Sequence, residues 1–289
     1  MDWDSVDERL IKRGELLLSL DFLEEYEGEL KAMNRGKEGR PFALTNSHIV
    51  FLAVVRYLFG LPYRQLEGFT RALNRLVPRL PSADYSGLRR RVLAVDLSPY
   101  ESLEGSGDLV IAVDSTGVRV HKAGGWVERE HGEKKRYVKL FFAVDVETKK
   151  ALAMLVTTDG THDSRVFPEL LEKVEHHGRV SRVYADGAFD SSKIYELLES
   201  KRIEAAIKPR RNSRLDTPSE TRRRAVTQYK RLGHKQWARL TGYGKRWSVE
   251  TAYSTFKRTF GEFCMAKTMT SIEKEMMTKA YIYNTLINL

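Results

Sequence analysis

The sequence predicts an α/β fold: a mixed sheet flanked by helices, preceded by an all-helical N-terminal region. Three observations predict it. The first hundred residues carry helix start and stop signals but no strand pattern. From residue 109 the pattern changes to short apolar, β-branched runs. Three such runs come first, and strands then alternate with helical segments, which is the order of a mixed α/β sheet. A length of 289 residues suits two unequal domains.

Residues 1–35 read as an acidic helical segment, with Leu10, Leu16, Leu17, Leu20, Leu23 and Leu30 among the acids. The stretch 34–44 (NRGKEGRPFAL) reads as a linker with two Gly and a Pro. Thr45, Asn46 or Ser47 then caps a helix through Phe59 that is apolar almost all round, the mark of a buried helix. Gly60 stops it and Pro62 starts another over about 62–76. On this second helix Leu66, Phe69, Leu73 and Leu76 share one face, and Arg64, Arg71 and Arg75 share the opposite one. Two helices across a tight turn, the second with an arginine stripe, match either a helix-turn-helix or a small helical domain with a solvated basic face. A short helix at 84–94 carries Arg89, Arg90 and Arg91, and 101–107 (ESLEGSG) reads as a boundary.

Strands are expected at 109–113, 137–146, 151–157, 181–185 and 203–207, with a hairpin turn at 147–150. Helices are expected at about 164–177, 191–201, 246–260 and 271–287, and the basic stretch 208–240 reads as irregular or partly helical. The division that follows is 1–35 as an acidic helical segment, 36–104 as a helical, helix-turn-helix-like domain, and 105–289 as the α/β domain.

Net charge is +10, with 30% of residues charged. Such an excess speaks to polyanionic partners, not to fold. It is also unevenly placed. Residues 1–31 hold ten acids against four bases, whereas 208–246 holds thirteen Lys or Arg against Asp216 and Glu220. A nucleic-acid partner for the C-terminal half is the expectation. The single cysteine, Cys264, excludes an intrachain disulfide and a cysteine zinc cluster. The N-terminus is acidic, unlike a signal peptide. The longest apolar run, 49–55 extended by 57–59, is too short to span a bilayer. The expected location is the cytoplasm, with no membrane partner.

Three acids stand out by context. Asp114 follows VIAV and Asp186 follows VYA, each the first charge after an apolar strand. Open α/β sheets place their sites at that end of the strand, though a strand-end aspartate also commonly caps a turn. Glu250 lies in YGKRWSVETAYSTFK. Read as a helix, this segment puts Val249, Ala252, Phe256 and Phe260 on the core stripe, with Arg246, Glu250, Tyr253 and Lys257 on the other side. Ion pairs at i,i+4 would account for Arg246 and Glu250 alone, but not for the tyrosines or the matched aspartates. Three carboxylates from two strands and one helix suit in-line attack at a phosphodiester, because oxygen ligands can hold two Mg²⁺ ions about 3.5–4 Å apart.

The spacing Tyr243, Arg246, Glu250, Lys257 resembles the third-acid signature of DDE transposases of bacterial and archaeal insertion sequences, in the group spanning families four and five. The blocks VIAVDSTGVRV and VYADGAFDS are similar to the first- and second-acid blocks. The separations, 72 residues from Asp114 to Asp186 and 64 on to Glu250, resemble family five, without a large insertion. GLPYRQLEGF at 60–69 is similar to that family's helical DNA-binding region. The resemblance implies a ribonuclease-H-like catalytic fold with Asp114, Asp186 and Glu250 as metal ligands and catalytic groups. It implies two Mg²⁺ ions, with Mn²⁺ able to substitute. It implies double-stranded DNA, both transposon ends and target, as partner, and a homodimer on DNA. Arg246 and Lys257 carry over as contacts to terminal DNA, with Tyr243 beside them. Arg64, Arg71 and Arg75 are the expected contacts of the N-terminal domain. Trp247 is either a base-stacking residue or core. A ribonuclease-H-like nuclease, or a non-catalytic DNA-binding protein derived from a transposase, would share the acids.

Of the remaining candidates, His121, His131, His162 and His234 read as surface histidines, with His162-Asp163 following a strand near enough to approach the site. Asp145 reads as a structural turn residue, and Asp190 as the cap of the next helix.

Overall fold

The computed structural model describes residues 3–97, 107–120, 137–158 and 160–289. His121, His131 and most of the expected boundary at 101–107 lie outside them. The chain divides into two compact units, residues 1–101 with 281–289, and residues 102–280.

In the first unit, the expected helical stretch 1–35 is two helices, α1 (Trp3–Glu15) and α2 (Tyr26–Asn34), separated by 3-10 turns at Leu16–Leu18 and Asp21–Leu23. The interruption has a local cause: Ser19 is extended and its hydroxyl donates to the Asp21 carboxylate at 2.7 Å, a bond that competes with helix. The Tyr26 hydroxyl donates to the Ala43 carbonyl at 3.0 Å. Glu29 accepts the N–H groups of Asn46 and Ser47 at 2.8 and 3.0 Å, placing an acid at the positive end of the next helix. That helix, α3 (Asn46–Phe59), starts at Thr45, whose side chain accepts the His48 N–H, and stops at Gly60 with φ 64°. It is buried on nearly every side, as its composition requires. Next come α4 (Tyr63–Leu76) and α5 (Tyr85–Ala94), the latter capped by Asp84. Leu66 is buried and Arg64, Arg71 and Arg75 are exposed, as the periodicity requires. Leu76, the last residue of α4, departs from its expected apolar face and is 81% exposed. From the far end of the chain, the Leu286 carbonyl accepts from Arg13 Nε at 2.9 Å.

The second unit holds a mixed sheet in the order β3-β2-β1-β4-β5. Its strands are β1 (Leu109–Val120), β2 (Tyr137–Asp145), β3 (Ala151–Thr158), β4 (Val180–Ala185) and β5 (Glu204–Ile207). β1, β2 and β3 pair antiparallel, while β4 and β5 continue parallel to β1. A two-residue strand, β6 (Phe263–Cys264), pairs with the far end of β1 at Arg119 and Val120. The parallel pairs are linked through α6 (Asp163–Glu175) and α7 (Ser192–Ser200). This is a ribonuclease-H-like mixed sheet flanked by helices, as expected.

Alternation along the strands sorts the two faces. Ile111, Val113 and Phe141 share a core with Val166, Phe167 and Leu170 of α6 and Ile194 and Leu198 of α7. Phe142, of opposite parity, stacks on Tyr253 at 4.9 Å and meets Phe256 edge-on at 5.3 Å. Both aromatics lie on α9 (Trp247–Phe260), so α9 covers the second face. Between β5 and α9 the basic stretch is more regular than expected. It forms α8 (Glu220–Thr241), capped by Ser219 and broken at Gly233, where φ is 68°. Val226 and Trp237 are its buried anchors. The last helix is α10 (Met269–Asn288). No helix among the described residues is long and apolar enough to cross a membrane.

Candidate active site

β1 does not end at Asp114. Residues 115–119 continue the strand because they pair with 137–141 of β2. What ends there is the parallel neighbour: the last β1–β4 pair is Val113 with Ala185. Asp114 and Asp186 are therefore the next residues on adjacent parallel strands, where spacing is about 4.8 Å. Beyond that pair Asp186 leaves the sheet and caps a 3-10 turn at Gly187–Phe189, accepting the Ala188 N–H at 2.8 Å.

Glu250 reaches the same place from α9. Arg246, one turn earlier, donates to Asp114 Oδ2 at 3.0 Å and to Glu250 Oε1. Tyr253, one turn later on the buried side, holds the helix to the sheet. Its hydroxyl donates to the Asp114 carbonyl at 2.7 Å, lies 3.1 Å from the Leu140 carbonyl, and accepts the Phe142 N–H at 2.8 Å. The sequence placed Tyr253 on the open face with Glu250; it is 6% exposed, because its ring fills the gap above Phe142. Lys257 is half-buried two turns beyond Glu250.

The electrostatics follow from this crowding. Burial raises the Asp114 carboxyl above the usual range, and Asp186 and Glu250 raise it further, against the Ser115 N–H and Arg246. Burial works against the Arg246 charge, but Tyr243 and the three acids outweigh it and raise its affinity for the proton. Burial likewise raises the Tyr243 hydroxyl. Tyr243 is 8% exposed, its ring 4.9 Å from Trp237 and the Arg246 guanidinium 5.8 Å from its centre. Trp247 is 69% exposed, so the core reading of that residue is overturned.

Among the described residues no three His, Cys, Asp or Glu side chains converge on one point; Arg246 stands between Asp114 and Glu250. The donor set nonetheless suits a hard cation. All the donors are carboxylate oxygens, and the repulsion expressed in the raised Asp114 carboxyl is what a divalent cation would relieve. Beside the acids lies a cleft of about 910 Å³, with Asp186 and Gly187 on one wall and Lys208, Arg211, Lys230 and Arg246 among its cations. The loop after Asp186 lies against the basic segment, where a Cβ on Gly187 would sit in van der Waals contact with the Lys208 carbonyl at 3.4 Å.

The other acids are sorted by partner. Asp145 is structural as read, buried and accepting the Thr148 N–H at 2.8 Å. Asp190 is not a helix cap, because Ser191 caps α7. Instead Asp190 is buried and accepts Arg222 at 2.7 and 3.0 Å, the Arg210 N–H at 3.1 Å and the Ser213 hydroxyl. Sequence reasoning missed Arg222 and Ser213, since nothing in the run 208–240 marks which cation turns inward. Asp163 is buried and bonded to Ser115, the neighbour of Asp114. His162 precedes α6 without capping it. His234 lines the basic cleft with its ring 6.4 Å from that of Tyr243. In the first unit Arg71 pairs with Glu67, and the Arg64 guanidinium lies 5.0 Å from the Tyr85 ring centre.

Two family models, each described as a transposase DDE domain, match this chain, one over residues 105–285 and the other over residues 11–123. Among solved structures, one described as the cryo-EM structure of piggyBac transposase synaptic complex with hairpin DNA is similar at 12% identity with a TM-score of 0.41. The similarity covers 94% of this chain and 73% of that one.

Proposed function

The chain belongs to the transposase DDE-domain family, and from that premise we propose that it is an insertion-sequence transposase acting at Asp114, Asp186 and Glu250. One observation carries the reading. Arg246 joins Asp114 to Glu250 across the sheet–helix junction, and Asp186 stands beside Asp114 on the neighbouring strand. Acids 72 and 64 residues apart in sequence thus share one corner of the fold.

The substrate is double-stranded DNA, at the terminal inverted repeats and at the target. Held by the three carboxylates, two Mg²⁺ ions, or Mn²⁺, would activate the attacking water or 3′-hydroxyl and stabilise the leaving oxygen. Arg246 and Lys257 hold phosphates of the terminal DNA near the acids. Tyr243 supports Arg246 from below, and exposed Trp247 faces the same DNA. Arg64, Arg71 and Arg75 form a basic stripe on α4 that contacts the backbone of the end, making 36–104 a DNA-binding domain, with 1–35 beside it and 105–289 as the catalytic part. Two ends must be joined, so the working form is a homodimer on DNA. The single cysteine favours a cytoplasmic site of action.

The test is a cleavage and strand-transfer assay on DNA carrying the element's own ends, with Mg²⁺. Asp114→Asn, Asp186→Asn and Glu250→Gln should each abolish cleavage while end binding survives. Cutting without joining would instead make the chain a nuclease, and binding without cutting a non-catalytic binder.

A further inference from the structure

A second polar cluster lies on the far side of β1 from the three acids. Ile111 and Val113 face the core built on α6, and the next residue of that parity is Ser115. On β2, Phe141 faces the same core, and the next residue outward is Lys139. The apolar stripe of both strands therefore ends in a polar pair. Asp163, the first residue of α6, closes over it. Its Oδ2 accepts the Ser115 hydroxyl at 2.8 Å and its Oδ1 accepts Lys139 Nζ. The Asp163 side chain is 7% exposed. An ion pair with its carboxylate buried and its lysine partly so is poorly explained as a source of stability, because desolvation offsets much of the attraction. Its position explains it better. The Ser115 N–H donates to Asp114 Oδ1 at 2.8 Å, and the Asp114 carbonyl accepts Tyr253 at 2.7 Å. The 114–115 peptide is thus held from α9 on one face and from α6 on the other. Here β1 no longer has β4 beside it to fix its path.

We propose that Asp163 is a positioning residue for the reaction: through Ser115, and braced by Lys139, it sets the orientation of Asp114. This rests on the reading of Asp114 as a catalytic carboxylate. Asp163 lies on the opposite face of the strand and touches no reacting atom.

The test uses the full chain and two readouts. One is single-turnover cleavage of end DNA under saturating Mg²⁺, with the end-DNA dissociation constant measured separately. The other is Mn²⁺ binding to the DNA-free protein by electron paramagnetic resonance. Asp163→Asn and Ser115→Ala should each slow cleavage and weaken Mn²⁺ binding by about ten- to a hundredfold, the usual loss when a group behind a metal ligand is removed. End affinity should stay within about twofold, as a group far from the DNA requires. The double variant should be no worse than the worse single variant, since both act through one bond. Ser115→Thr, which keeps the hydroxyl, should restore both readouts. Unchanged readouts in Asp163→Asn, effects that multiply in the double variant, or a fall in end affinity matching the fall in rate would each overturn the proposal. If wild type binds Mn²⁺ through Asp114 but does not cut, the transposase reading fails and the Mn²⁺ arm still decides the role of Asp163. If wild type neither binds Mn²⁺ nor cuts, both fail.

Discussion

Arg246 donates to Asp114 at 3.0 Å, joining residues 132 apart in sequence, and donates with a second nitrogen to Glu250 four residues along its own helix. A guanidinium holds its donors in a fixed planar fork that spans the two carboxylates, a geometry that the compact ammonium of lysine does not reproduce. Arg246→Lys is therefore not conservative. It should slow DNA cleavage at least about tenfold, equal to about 1.4 kcal/mol of transition-state stabilisation. It should also lower the melting temperature of the metal-free protein more than that of the Mg²⁺-loaded one. Equal losses with and without Mg²⁺ would show that Arg246 does not balance the acids.

Asp114 carries an electrostatic cost in the folded protein. Burial and its acidic neighbours raise its folded pKa above the unfolded value. The sign follows: the penalty is absent below the unfolded value, about 3.9, and full once pH has risen past the folded one. Asp114→Asn should thus raise the melting temperature of the metal-free protein at pH 7 and leave it unchanged near pH 3. A lower melting temperature at pH 7 would mean that the bond to Arg246 outweighs the burial.

Asp190 has the opposite sign. Burial pushes its carboxyl up, but Arg222, Ser213 and the Arg210 N–H together hold it below the usual range. Its contribution is full above the unfolded value near 3.9 and is lost as pH falls through the folded one. Asp190→Ala leaves the partly buried Arg222 without its partner and should cost up to about 3 kcal/mol in denaturant unfolding at pH 7. The gap from wild type should narrow in acid, and a gap constant with pH would contradict the assignment.

Tyr253→Phe keeps the ring on Phe142 and removes the hydroxyl. The Phe142 N–H and the Asp114 carbonyl lose a buried partner, a loss of about 1–3 kcal/mol. Because that carbonyl belongs to the first acid, cleavage should slow while end affinity holds. A stability loss with an unchanged cleavage rate would make Tyr253 purely a packing residue.

On α4, Arg64→Ala and Arg75→Ala should each weaken binding to end and to random DNA alike. Each should reduce the slope of log affinity against log salt by about 1. Loss confined to the end sequence would mean these arginines read bases, and no loss would remove α4 from the interface.

The sequence by itself marked most of the elements and singled out three acids by their context. Apolar runs ending at Asp114 and Asp186 mark strands because buried β-residues are apolar whatever their neighbours. The apolar spacing from Val249 to Phe260 marks one helix because its period is local, although Tyr243–Arg246 ahead of it is a 3-10 turn. Local signals were weaker where partners are remote. The strand at 109–113 was read seven residues short, since 115–119 form it only by pairing with 137–141. β6 was missed because two residues carry no periodicity. Tyr253 was placed on the open face, although one helical face turns inward where Phe142 leaves room for a ring. The inward-turned Arg222, the Asp163–Ser115 bond and the position of Arg246 between two acids were decided by tertiary structure alone. A charged side chain takes a partner by proximity in space, and proximity across 132 residues has no trace in the order of the chain.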